Sequence, residues 1–409
     1  MNNGENFVMK VKYLILGAGP SGLSFANRIK QLGENDFLVL EKENEAGGLC
    51  RSKDVDGSPL DIGGGHFLDV RDKGVNEFLF GFMPEEEWNL YERNSQICLG
   101  DYHINHPLEA NIWQMPQEEQ IEYLKSIAVA GCNLDVPMPQ EFIKWIDWKL
   151  GKRIAEKYML PYNKKMFGDM LNELGTYWLE KLPNVSFEET LLSCLNKQPY
   201  GTQPGHAQFY YPKKYGYGEL WKRMADALQE KILYGKNIAT LNFEDTSVTC
   251  SDGSVIKADY IITTIPWTSF ENIRNMTETL CKDIQKLKHT SVTIEYHSEK
   301  LDTDAQWIYY PDETLEYHRI LVRSNFLPGA KGYWTETNTE RYTAKEYDCY
   351  NNEYAYPLNT IDKPLIMSRL LKWAEENKVI GLGRWGEWQH YNSEVVVRKA
   401  LELANKLVK

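Results

Sequence analysis

The sequence predicts an α/β fold in which a parallel-sheet domain is assembled from separated stretches of chain, interrupted by a helical lobe and an antiparallel β-sheet. Three observations predict it. Near the start an apolar strand runs into a glycine-rich turn and an amphipathic helix. Residues 113–200 read as mainly helical. Apolar strand segments then return late in the chain, at 260–266 and 379–386. At 409 residues, 42% of them hydrophobic, the chain has room for roughly two to three domains of about 150 residues. A net charge of −12 argues against a broad nucleic-acid or anionic-membrane surface and leaves anion binding to local basic pockets. The 12 Trp, 25 Tyr and 14 Phe suit a site that packs rings against planar or sugar ligands.

The elements follow in order. Residues 10–17 alternate and then run apolar, as a buried parallel strand does, and lead into Gly17-Ala18-Gly19-Pro20-Ser21-Gly22. Leu23, Phe25, Ala26, Ile29 and Leu32 recur at helical spacing until Gly33. Phe37–Leu40 is the next strand, with Glu41 and Lys42 at its end. Gly17 permits the tight turn, Gly19 lets backbone approach a pyrophosphate, and Gly22 lets helix pack on strand. Phosphates are favoured at the helix N-terminus, where Pro20 and Ser21 lie. Glu41 stands 19 residues beyond Gly22, where a carboxylate accepts ribose hydroxyls. Together these residues predict a Rossmann-like dinucleotide site.

A second glycine pair in Ala46-Gly47-Gly48-Leu49-Cys50-Arg51-Ser52, then Asp61-Ile62-Gly63-Gly64-Gly65-His66, resembles flavoproteins of the glutathione-reductase-like FAD fold, amine oxidases and protoporphyrinogen oxidases among them. That resemblance implies FAD, with Gly47, Gly48, Leu49, Gly64, Gly65 and His66 beside it. Helices are expected at Glu118–Ala130, Gln140–Leu150 and Arg153–Tyr158, and another at Arg223–Lys231 after Phe209-Tyr210-Tyr211-Pro212. Residues 238–266 read as a hairpin and a strand, turning at Asp252-Gly253. Residues 290–340 alternate like antiparallel strands. Val379–Gly386, with Gly383 and Arg384 in its glycine turn, and a helix at Ser393–Lys406 close the first domain. The expected division is an FAD-binding domain in three parts, 8–100, 207–285 and 361–409, with a helical lobe at 101–206 and an antiparallel substrate sheet at 286–360.

Several segments together resemble the UDP-galactopyranose mutase family: Gly63-Gly64-Gly65-His66, His106-Pro107-Leu108-Glu109-Ala110-Asn111, Pro161-Tyr162-Asn163-Lys164-Lys165, Tyr309 with Arg319, Tyr356-Pro357, and Gly383-Arg384-Trp385-Gly386-Glu387-Trp388. The resemblance implies an FAD-dependent nucleotide-sugar mutase of surface-polysaccharide or lipopolysaccharide synthesis. Such an enzyme interconverts pyranose and furanose through reduced flavin N5 without net redox. Arg319 would then clamp the substrate diphosphate, with Tyr309 and Tyr356 hydrogen-bonding it. Asn163 and Tyr210 would contact substrate, and His66 and Arg384 would stand by the flavin. The sequence departs from the family pattern in four places. Tyr210 stands where the second diphosphate arginine is expected, Glu109 where a glutamine is, Phe167 where a tryptophan is and His390 where a tyrosine is. Lys213, Lys214 and Arg323 are the basic residues that could compensate. The alternative is an FAD-dependent oxidoreductase of the amine oxidase or protoporphyrinogen oxidase type.

Seven cysteines, an odd number without CxxC spacing, read as free thiols of a reducing compartment. No HExxH or similar cluster points to a metal. No apolar run nears 18 residues and the first residues carry no apolar signal segment, so a cytoplasmic location is expected. The mutase resemblance implies a small-molecule partner, a nucleotide diphosphate sugar.

Overall fold

β1 (Met9–Leu16), α1 (Pro20–Gln31) and β2 (Phe37–Leu40) form the expected crossover in a computed structural model that describes residues 9–179, 185–201, 207–344 and 348–408. Residues 1–8, and 180–184 and 202–206 of the expected helical lobe, lie outside the described residues. β1 and β2 pair in parallel, Leu14 opposite Leu38. Tyr13, Ile15, Phe37 and Val39 enter one apolar core, and Leu14, Leu16, Leu38 and Leu40 enter a second on the other face. Burial on both faces is why these strands read as continuous apolar runs rather than strict alternations.

The strand Val255–Thr263 lies parallel to β1, Ile261 opposite Leu14. It then forks. Its first half pairs antiparallel with Ser247–Cys250, and its last three residues pair parallel with Val379–Gly381. The late apolar segments therefore do return to the opening sheet. The C-terminal helix Ser393–Leu407 packs on α1. A Cβ on Gly383, whose φ is +78°, would meet Ser21 Oγ at 1.9 Å, so only glycine lets the closing turn dock on the start of α1.

A seven-stranded sheet forms the second layer, in the order Cys349–Pro357, His289–His297, Tyr333–Asn338, Arg319–Leu321, Trp307–Tyr309, Ser95–Leu99, Tyr102–Asn105. Its last two strands are a correction. The expected boundary at 100/101 divides residues 95–105 between two pieces, whereas they form one hairpin on the edge of this sheet, joined through Ser95–Ile97 in parallel to Trp307–Tyr309. Short polar-apolar alternation does not reveal a partner more than 200 residues away.

The helical lobe includes Gln117–Ala128, Phe142–Leu150 and Phe187–Asn196. The helix expected at Arg153–Tyr158 continues to Phe167 and widens into a π-turn over Ala155–Met159. Pro161 has no N–H to return to the preceding turn, which accounts for the widening. The helix expected at Arg223–Lys231 instead spans Gly218–Asp226, and Gln229–Lys231 is a single 3₁₀ turn. It starts early because Tyr217 and Gly218 give their N–H groups to the Asp61 carboxylate and Ser52 Oγ. All seven cysteines are free thiols, and no helix among the described residues is long and apolar enough to cross a membrane.

Candidate active site

The glycines after β1 act for different reasons. Gly17 turns at φ +100°, and a Cβ there would sit 2.7 Å from Thr264 Oγ1, just past the returning strand. A Cβ on Gly22 would lie 2.0 Å from Gly17 O. Gly19 has room: a Cβ there meets only Gly48 Cα, at 3.9 Å, so two side-chain-free backbones face each other in front of the α1 N-terminus. Pro20 opens α1 and Ser21 is buried beside it. Glu41, 7% exposed, accepts from Ala18 N–H at 2.7 Å and from Glu43 N–H at 3.0 Å. Burial raises its carboxyl pKa, against these two hydrogen bonds. Gly47 lies behind this gap, with its N–H on Ala18 O. Lys42 points to solvent, 3.8 Å from Glu43, and does not enter the cradle.

From this cradle the chain reaches a cavity of about 200 Å³ walled by Leu49, Gly65, His66, Tyr309, Arg319, Tyr356 and Arg384. Seven of the expected site residues thus meet there although they span 336 positions of sequence. Asp61 anchors the Gly63–His66 loop from behind. It is fully buried and accepts from Ser52 Oγ (2.6 Å), Tyr211 Oη (2.9 Å) and Tyr217 N–H (3.0 Å). Burial nevertheless pushes its pKa up to about 7. The folded state therefore holds an extra proton between the unfolded carboxyl value of about 4 and pH 7. The stability linked to that proton is present below about pH 4 and is lost as pH rises toward 7. Asp61→Asn removes this dependence, so its Tm relative to the parent should climb between pH 4 and 7; a flat difference would contradict the assignment.

On the loop, His66 Nδ1 lies 2.9 Å from Gly64 O. A carbonyl only accepts, so Nδ1 carries the proton and Nε2 is left as an acceptor. Burial, then Arg384, lowers the His66 pKa to about 4, and burial lowers that of His390, on the same wall, to about 3. Both rings are neutral at pH 7. His390 stands where the family pattern has a tyrosine and packs 5.0 Å from the Tyr356 ring. Arg384 is held by the carbonyls of Ala355 and Tyr391.

Arg319 donates through Nε (2.8 Å) and Nη2 to Glu336 Oε2. Burial opposes its charge, but Glu336 and the surrounding tyrosines outweigh that and hold its pKa well above the ordinary value. Glu336 is 1% exposed, and its other oxygen accepts from Gly65 N–H at 3.1 Å. One buried carboxylate therefore ties the glycine loop to the arginine. No local pattern marks it in advance: Glu336 is one residue of an alternating strand, and its partners are 17 and 271 positions away.

Two expectations are corrected. Phe209 and Tyr211 point inward from the strand Gln208–Pro212, so Tyr210 faces the other way and donates to Glu85 at 2.8 Å. Asn163 does not line the cavity, and its amide returns to Met159 O on its own helix. Its neighbour Tyr162 is the residue that turns toward the site, edge-on to Tyr309 at 5.6 Å. Arg323 cannot compensate for Tyr210. It is fully buried and spent on the carbonyls of Val55, Ser58 and Lys331. Lys213 and Lys214 are exposed and outside the cavity. The cavity wall also contains Phe67, Phe209 and Trp307, with ring centroids 4.5–5.3 Å apart, and Arg93; the sequence reading missed all four.

Comparison with known proteins bears on this geometry. Residues 15–80 match a family model described as an NAD(P)-binding Rossmann-like domain, and residues 83–294, just over half of the chain, match that of the flavin containing amine oxidoreductases. The chain belongs to the flavin-containing amine oxidoreductase family. A UDP-galactopyranose mutase crystallised in reduced form has a TM-score of 0.89 at 20% identity, over 98% of this chain and 94% of that one. A fatty acid isomerase from P. acnes (0.66, 15%, covering 97% and 98%) and a putrescine oxidase (0.62, 12%, covering 98% and 99%) are also similar. At these identities the likeness is one of fold. Among curated sequences, a stretch of 53 residues is 47% identical to an uncharacterized protein in the nifH2 3' region of Methanothermococcus thermolithotrophicus. A stretch of 87 residues is 32% identical to a Baeyer-Villiger monooxygenase of Pseudomonas aeruginosa. These matches cover 13% and 21% of this chain, and half and 14% of the respective relatives.

FAD is the cofactor of this flavoprotein, and the residues fit it. Gly19 and Gly48 present side-chain-free backbone at the α1 N-terminus, where a pyrophosphate would be held, and Glu41 at the end of β2 would accept from the ribose. Arg384, Ser393 and the Gly63–His66 loop lie at the cavity end of the same path.

Proposed function

We propose that this flavoprotein is a nucleotide-sugar mutase, interconverting pyranose and furanose forms of a sugar carried on a nucleoside diphosphate for surface-polysaccharide or lipopolysaccharide synthesis. The observation that carries the reading is Arg319. It is a guanidinium locked by a buried carboxylate, flanked by Tyr309 and Tyr356, and it faces the cavity that the flavin loop also lines. A bound, reduced flavin supplies electron density at N5 for nucleophilic catalysis. The chain's own residues do the rest. Arg319 holds the diphosphate through the attack on the sugar and stabilises it as it leaves. Tyr309 and Tyr356 hydrogen-bond it without adding charge. His66, neutral and with Nε2 unprotonated, takes up or returns a sugar hydroxyl proton beside the loop. Phe67, Phe209 and Trp307 give the sugar an apolar wall and keep water from the reacting carbon.

A second reading, oxidation of an apolar substrate, draws on that same aromatic wall and on the family. One experiment separates the two. Purified protein reduced with dithionite under argon should isomerise a nucleotide sugar such as UDP-galactofuranose, and the oxidised protein should not. Isomerisation equal in both states, or none in either, sinks the mutase reading. Bleaching of the flavin by an added amine or similar substrate, with recovery in air, establishes the second.

A further inference from the structure

The site as read above has one guanidinium for a diphosphate, and that guanidinium already faces a carboxylate. We infer that Arg93 is the second arm of the anion clamp, taking the role for which Tyr210 is turned the wrong way; the inference rests on the diphosphate reading of the cavity. Arg93 sits just past the strand Trp88–Glu92, at the start of the hairpin that the sequence reading split. Its Nη2 donates to Tyr309 Oη at 2.8 Å, its Nε to Ser95 Oγ at 3.2 Å, and its guanidinium lies over the Trp307 ring at 5.2 Å. The ring face stabilises the cation and fixes its plane. Tyr309 is directly opposite Arg319 across the antiparallel ladder. Tyr309 thus stands between the two arginines, its hydroxyl accepting from Arg93 and its backbone paired with Arg319 on the neighbouring strand.

Arg93 also lines a second, polar cavity of about 410 Å³ on the far side, together with Asn94, His106, Asn111 and Tyr200. His106 Nδ1 is buried there without a hydrogen-bond partner, and its ring is 5.2 Å from Tyr309. Arg93 therefore forms part of the wall of both the flavin-side cavity and this one. That is where the charged middle of an elongated ligand would lie, with the sugar on one side and the rest of the nucleotide on the other. A planar guanidinium with several donors suits this position because it can serve Tyr309 and a phosphate together.

The test is titration calorimetry of flavin-loaded protein with inorganic pyrophosphate and with uridine diphosphate. Arg93→Ala should weaken both by roughly 10- to 100-fold, as loss of a charge-assisted hydrogen bond does, while the flavin spectrum stays that of the parent. Arg93→Lys should recover only part of the loss, and Tyr210→Phe should bind as the parent does. If Arg319→Ala weakens binding and Arg93→Ala does not, this inference alone fails. Loss of uridine diphosphate binding with pyrophosphate untouched also overturns it, placing Arg93 at the nucleoside. If the parent binds neither probe, or Arg319→Ala leaves both unchanged, the diphosphate reading itself falls.

Discussion

Gly19→Val is expected to fold and to purify without flavin. The contrast with its neighbours makes the test sharp. A Cβ on Gly22 would lie 2.0 Å from Gly17 O and 3.2 Å from Ile15 Cγ2, so Gly22→Val forces α1 off β1 and should not give folded protein. A Cβ on Gly19 meets no atom closer than Gly48 Cα at 3.9 Å, so valine fits the apoprotein but occupies the space a pyrophosphate needs. The expected result is a far-ultraviolet circular dichroism spectrum and melting transition like those of flavin-stripped parent, with no absorbance near 450 nm after reconstitution with FAD. Retention of stoichiometric FAD by Gly19→Val would show that the cradle lies elsewhere.

Arg319→Ala should lose diphosphate binding by at least about 10-fold while keeping its flavin, and should also be less stable. The stability loss has a separate cause. Glu336, 1% exposed, keeps its hydrogen bond from Gly65 but loses its cation, and an unpaired buried charge costs on the order of 3 kcal/mol. The double variant Arg319→Ala/Glu336→Gln removes that charge. It should regain most of the lost Tm without regaining affinity, since the amide can still accept from Gly65 N–H. Thermal melts and pyrophosphate titrations of the two variants check both halves. Affinity returning together with stability would mean that Arg319 acts by holding the loop and not by touching the ligand.

The cofactor half of this site was legible because it is local. Gly17, Gly19 and Gly22 lie within six residues, and each answers a constraint of turn, approach or packing that leaves its mark on the residue type. Arg319, Tyr309, Tyr356 and Arg384 were found by resemblance, and the structure brings them to one cavity. Arg93, Glu336 and the Phe67–Phe209–Trp307 wall were not found, since nothing in Glu92-Arg93-Asn94 or Thr335-Glu336-Thr337 separates them from ordinary strand residues.

By itself, then, the sequence determined the opening β1–α1–β2 crossover, the dinucleotide cradle, the return of the late apolar segments to the first sheet and the choice of a flavin. The crossover and the glycine turn follow from periodicity and glycine placement within short windows, and the return of the late segments and the flavin from the resemblance to FAD-fold flavoproteins. Only the tertiary structure decided which charged and aromatic side chains share the cavity. A one-residue step along a strand reverses the face a side chain presents, and this sends Tyr210 out to Glu85 while Phe209 turns in. The parallel pairing of Ser95–Ile97 with Trp307–Tyr309, across more than 200 residues, is what carries Arg93 to Tyr309. Such pairings are set by the burial of whole sheets and not by any window of chain.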